Sequence, residues 1–174
     1  MLFRSGQGLD ERIAAALDDA HARLAVPVVL IGMDTPQVTP ELLESVTRPL
    51  ARDEADAVFG PARDGGFWVL GLRRPDPRLV LGVPMSRTHT GRGQLSRLLR
   101  ARLRVHLAPE LVDVDTVGDA HDVARAAPGS RFAATLAAVG NQPGLVSPRV
   151  LGERGDAAAR PEQAAPLAGA GSGR

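Results

Sequence analysis

"VVLIGMDTPQVTPELL", residues 28–43, is the stretch that decides how the chain is read. Val28 to Ile31 is a short unbroken apolar run, the mark of a strand covered on both faces. The run meets Asp34 and then Pro36, which has no N–H to donate and cannot extend a strand ladder. Thr39-Pro40-Glu41 reads as a helix start, with Thr39 as N-cap and Pro40 in the first helical position. A buried strand, a rim carboxylate and a capped helix in immediate succession are a βα unit. In open α/β sheets ligands bind beyond the carboxyl ends of the strands, which is where this spacing puts Asp34.

The same alternation continues on either side. Leu9, Ile13, Leu17, Ala20 and Leu24 recur at helical spacing among charged residues, so 9–24 is a helix that Pro27 ends. The helix after Thr39 is expected to reach about Asp53, with a kink or early end near Pro49. Short strands are expected from Asp56 ("DAVFGPA"), from Phe67 ("FWVLGL") and from Arg104 ("RVHLA"), with a helix over Gly93–Leu103. Thr116 and Ser130 read as N-caps of two last helices. Strands alternating with helices predict an α/β fold with a largely parallel sheet. After Gly140 the periodicity stops and Pro, Gly, Ala, Arg and Glu take over, so residues 140–174 read as a disordered tail behind one domain at 1–139.

Composition removes several chemistries. The 174 residues contain no cysteine, so disulfides, thiolate metal sites and cysteine nucleophiles are out. All 21 basic residues are arginine, which excludes a lysine Schiff base or a lysine phosphate clamp. A net charge of +1 gives no electrostatic case for nucleic acid or an anionic membrane. No apolar run is long enough for a membrane span, and no apolar segment follows "MLFRSGQG" to make a signal peptide, so a cytoplasmic location is expected.

Three acidic elements follow strand-like runs: Asp34, Asp64 and the pair Asp113/Asp115. In a parallel sheet such loops can converge on one edge, where hard oxygen ligands suit magnesium or manganese. Each also has an ordinary reading. Asp64 before Gly65-Gly66 can open a hairpin, and Asp113 or Asp115 can cap the next helix. Trp68, the single tryptophan, fits either a stacking platform or the core. The loop "MSRTHTGRG" with Thr88 and two arginines can hold an acceptor or a phosphate, or simply be solvated. The histidines show no ligand spacing, and there is no GxGxxG or Walker loop.

The blocks "VVLIGMDTPQVTPELL", "ADAVFGPARDGGFWVLGLRRPDP", "LGVPMSRTHT" and "LVDVDTVGDAHDVARAAPGSRFAATLAAV", in that order, resemble a bacterial glycosyltransferase-like family of the GT-A, or nucleotide-diphospho-sugar transferase, superfamily. That family is related to 2-phospholactate guanylyltransferase and molybdenum-cofactor guanylyltransferase, and some members are described as arsenosugar-biosynthesis glycosyltransferases. The resemblance spans about residues 7–139 and implies a three-layer, mostly parallel GT-A-like sheet. It begins part-way into the family's first region, so the first strand, its nucleotide-cradling loop and a helix are expected to be absent from this chain.

The resemblance implies a transferase using Mg²⁺ or Mn²⁺ held by Asp34 and Asp115, with Asp34 and Asp64 as catalytic residues. It puts Gly65, Gly66, Phe67, Trp68 and Thr88 on the substrate side, and Asp113 and Asp119 in supporting roles. The partners implied are a nucleotide-sugar and a small-molecule acceptor. The alternatives are a nucleotidyltransferase that uses a nucleoside triphosphate and a small phosphorylated acid, and a non-catalytic remnant.

Overall fold

A computed structural model describes residues 8–140, all within one unit of the chain. The disordered-tail expectation falls outside the described residues, except for Gly140. The elements are α1 (Leu9–Leu24), β1 (Val28–Ile31), α2 (Pro40–Ala51), β2 (Ala57–Pro61), β3 (Phe67–Leu72), α3 (Thr90–Arg100), β4 (Val105–Leu107), α4 (Val117–Ala126) and α5 (Arg131–Gly140), with a short 3₁₀ turn at Pro77–Leu79.

The caps are where the sequence puts them. The Thr39 hydroxyl accepts from the Leu42 N–H at 3.2 Å, with Pro40 opening α2. Thr116 and Asp119 form a reciprocal capping box at α4, and Ser130 accepts from the Ala133 N–H at α5. Pro49 does not stop α2, which continues two residues to Ala51. The helix ends within a turn of the proline, and the Pro49 carbonyl accepts from the N–H groups of both Glu54 and Ala55. Helix α3 begins three residues earlier than its apolar spacing suggests, because Thr90 and Gly91 are buried against the neighbouring hairpin rather than left in a loop.

The sheet order is β1-β3-β2-β4. Strands β1, β2 and β4 run the same way, as crossover connections demand. Strand β3 is reversed, and it is inserted between β1 and β2. The pairings β1·β3 and β2·β3 are therefore antiparallel, and only β2·β4 is parallel. This corrects the expectation of a mostly parallel sheet in its pairings. The physical reason is the Asp64-Gly65-Gly66 tip, which joins β2 to β3 as a hairpin, and a connection that short permits only antiparallel neighbours.

Helices cover both faces, giving three layers. On one face Ile13 and Leu17 of α1 and Leu98 of α3 pack with Phe59, Leu70 and Leu72. On the other, Val46 and Leu50 of α2 pack with Val58, Trp68 and Val69. Successive residues of β2 alternate between the two clusters, as a strand buried on both faces must. Each fully buried large side chain contributes on the order of 1.5–3 kcal/mol over an exposed one.

Candidate active site at the carboxyl edge of the sheet

Three loops leave the carboxyl ends of β1, β2 and β4 on one side of the sheet, and backbone hydrogen bonds sew them together. The Gly32 N–H donates to the Trp68 carbonyl at 2.7 Å, one step beyond the β1·β3 ladder. The chain then turns, with the Val38 N–H donating to the Thr35 carbonyl. The carbonyl of Asp34 accepts from the Val114 N–H at 2.9 Å, and the Gln37 side-chain amide donates to the Val112 carbonyl at 2.7 Å. Beyond β2, Arg63 donates its N–H to the Leu111 carbonyl at 2.9 Å. The Asp64 carboxylate accepts from the Gly66 N–H at 2.7 Å, closing the hairpin tip. Backbone geometry alone thus fixes the segments carrying Asp34, Asp64 and Asp113 beside one another.

Asp113 is the centre of this group. Its carboxyl is pushed up to about 6, first by burial, then by the negative charges of Asp64 and Asp34, by its hydrogen bond to Asp64, and by Asp115. Asp34, Asp64 and Asp113 line a cavity of about 490 Å³, whose other walls include Leu30, Phe67 and Met85. Arg87 and Thr90 complete its polar lining.

Not all of the expected site residues meet there. Asp34, Asp64, Gly66 and Phe67 line this cavity. Asp115 is exposed; it reaches Asp113 electrostatically but does not line the cavity. Gly65 and Thr88 face a second cavity behind the hairpin. Trp68 is a correction: it is 1 % exposed in the α2-side core, and its indole N–H donates to the Pro109 carbonyl at 2.8 Å, so no base or sugar can stack on it. An irregularity in the β2·β3 register, where Gly60 pairs with Val69 and Pro61 with Phe67, breaks the alternation, so Trp68 joins Val69 on the α2 side while Phe67 packs on the other. Asp113, which the resemblance gives only a supporting role, and Arg87, noted only as one of its loop's two arginines, are the further residues that line this cavity. The signal for Asp113 was its place nearer the carboxyl end of β4 than Asp115; Arg87 left no signal beyond its loop.

The donor set is chemically right for a hard divalent cation. Among the described residues no group of three or more His, Asp or Glu side chains stands in ligand geometry. Mg²⁺, however, is commonly held by one or two carboxylates together with substrate phosphates. Asp64 in contact with Asp113, with Asp34 close by, fits that mode, and the mutual repulsion that raises Asp113 is what a cation would relieve.

Residues 2–87 match the pattern of a family described as "uncharacterized protein conserved in bacteria (DUF2064)". The chain is also similar to a crystal structure from Desulfovibrio desulfuricans G20, provisionally named a nucleotide-diphospho-sugar transferase. The two share 31 % identity and a TM-score of 0.70 over 78 % of this chain. This chain spans 60 % of that protein's length. No curated protein matches. The fold is thus GT-A-like, and the matched segment 2–87 carries β1, the hairpin and the Asp34 and Asp64 loops.

Proposed function

We propose that this chain carries part of a nucleotide-diphospho-sugar transferase site, in which the Asp34–Asp64–Asp113 edge receives the diphosphate of a nucleotide-sugar and the glycosyl group passes to a small-molecule acceptor. The observation that carries the reading is the convergence of three aspartates from three separate loops on one cavity. Support comes also from the likeness to the Desulfovibrio protein.

Asp113 and Asp64 would hold Mg²⁺ or Mn²⁺, with Asp34 beside them and Asp115 at the outer rim. When bound, the ion supplies positive charge against the departing diphosphate. The chain's own residues do the rest. The Asx turn at Asp64 fixes one carboxylate through the Gly66 N–H, so it need not reorganise when ligand enters. Arg87, at the same cavity, offers a guanidinium fork suited to phosphate oxygens. Leu30, Phe67 and Met85 give that cavity an apolar wall that excludes water from the charged edge. The acceptor oxygen replaces the diphosphate on the sugar carbon, the nucleoside diphosphate leaves, and the acceptor's proton passes to a carboxylate of this edge, so the remaining work of these residues is orientation and electrostatics.

The test is calorimetric titration with UDP-, GDP- and dTDP-sugars and the matching triphosphates, each with and without Mn²⁺. Cation-dependent binding of a nucleotide-sugar that weakens at least about tenfold, or 1.4 kcal/mol, in both Asp34→Asn and Asp113→Asn is the expected result. Binding that ignores both the cation and the two substitutions would sink the reading. Preference for a triphosphate would move the protein to nucleotidyl transfer.

A further inference from the structure

A second cavity, of about 440 Å³, lies behind the Asp64-Gly65-Gly66 tip. Gly66 lines both cavities, so the wall between them is glycine backbone without side chains. That wall is clamped. The Gly91 N–H donates to the Gly65 carbonyl at 2.8 Å. A Cβ on Gly65 would overlap the Thr88 carbonyl oxygen, and one on Gly91 would overlap the Gly66 carbonyl oxygen. The start of α3 and the hairpin therefore form one rigid partition.

The lining of the second cavity is unlike that of the first. Its floor and side are Phe59, Leu95 and Leu107, and Leu107 is 60 % exposed there. Its charged residues are Arg63, Arg92 and Glu110. Arg63 is already engaged, at 3.1 Å from Asp119 and 3.5 Å from Asp122. Arg92 is exposed on the first turn of α3 and has no hydrogen-bond or ion-pair partner among the described residues. An apolar bed of this size with one uncommitted guanidinium at its edge matches the build of small-molecule sites, which are mostly apolar with a few polar groups that orient the ligand. Asp34, Asp64 and Asp113 line the first cavity and not this one, where Glu110 is the one carboxylate.

We infer that this cavity binds a small amphipathic anion, a compact apolar or aromatic body bearing one phosphate or carboxylate, with the body on Phe59, Leu95 and Leu107 and the anion on Arg92. On the transferase reading, on which this last step rests, that ligand is the second substrate, with Gly66 lining both its cavity and the diphosphate edge.

Phenyl phosphate is the probe, titrated into the whole chain without metal or nucleotide and followed by the amide resonances of Gly66, Gly91 and Ala108. Phenol and inorganic phosphate are the controls, each carrying half of the chemistry. The expected result is saturable movement of those amides by phenyl phosphate, weakened about tenfold by the exposed-site changes Arg92→Gln and Leu107→Ser, as loss of a charge-assisted bond and of apolar contact requires. Inorganic phosphate moving the same amides equally well, or indifference to both substitutions, would overturn the site. The absence of metal and nucleotide keeps the two readings separate. Phenyl phosphate binding with no nucleotide-sugar binding leaves this site standing and removes the transferase reading, and the reverse result removes this site alone.

Discussion

The two ends of the sheet are both rich in aspartate, and they handle it in opposite ways. At the amino ends of β2 and β4, Asp53 and Asp56 both meet an arginine. Asp56 accepts from the Arg104 side chain at 2.9 and 2.8 Å and from its backbone N–H at 2.9 Å. Asp53 lies 2.9 Å from Arg104 and 3.2 Å from Arg73. Arg104 holds Asp56 down to about 2, chiefly through the side-chain hydrogen bonds, and is itself raised by them. At the carboxyl ends, Asp113 faces Asp34, Asp64 and Asp115 and is pushed the other way, up to about 6. A strand-end aspartate answered by arginine is architecture. Aspartates that answer only one another store repulsion, and such perturbed groups gather at functional sites.

The hairpin tip is what holds the acidic end together, so breaking it has the largest expected effect. Gly65 has φ of +92°, and a methyl group there would run into the Thr88 carbonyl. Gly65→Ala should cost roughly 3 kcal/mol or more, combining left-handed strain with overlap against backbone. Denaturant midpoints measure the loss. In whatever fraction remains folded, NMR titration should find Asp113 moved back toward an ordinary carboxyl and Asp56 still near 2. An unchanged midpoint would mean that the clamp between hairpin and α3 is not a constraint.

How much of this contrast could be read from the chain alone follows from range. The βα unit at 28–43, the caps at Thr39, Thr116 and Ser130, and the placing of Asp34 past a strand end are local, and local rules reach them. The reversal of β3 hinges on whether "DGG" is a tight hairpin or a longer passage, and three residues fit both. The choice of Asp113 over Asp115 depends on which of two carboxylates two residues apart turns inward against Asp64, forty-nine positions away in sequence and set by the Arg63–Leu111 backbone bond. Trp68 was misplaced for a related reason, because facing depends on strand register and not on the motif it sits in.

Removing the arginine from the structural end is the next test in size. Arg104→Ala deletes the bonds to Asp56 and Asp53 and the 2.8 Å donation to the Asp53 carbonyl. Both side chains are partly exposed, so solvent screening keeps the loss at neutral pH well below that of the hairpin substitution, read as a modest drop in the denaturant midpoint. The sign is fixed by linkage. A depressed carboxyl stabilises the fold above its unfolded value near 3.8 and loses that contribution as pH falls through about 2. The variant and the parent should therefore converge in acid. A gap that persists undiminished at pH 2 would show that packing, not charge, is what Arg104 provides.

The mirror substitution at the acidic end should do the reverse. Asp113 is raised from 3.8 to about 6, so the folded chain binds more protons than the unfolded chain between those values. Linkage then makes stability fall as pH climbs from about 4 to 6 and stay low above that. Asp113→Asn removes the charge that has to be desolvated and repelled. Because the group is only partly buried, the gain is about 0.5–1 kcal/mol at pH 7.5 and nothing at pH 4, read as a pH series of melting or denaturant midpoints without divalent cation. Adding Mn²⁺ should shrink the difference, since the ion would give the parent what the substitution gives the variant. A variant less stable than its parent at pH 7.5 would mean the Asp64 hydrogen bond outweighs the repulsion. The acidic end would then be held together in the same way as the arginine end, and the distinction between them would fail.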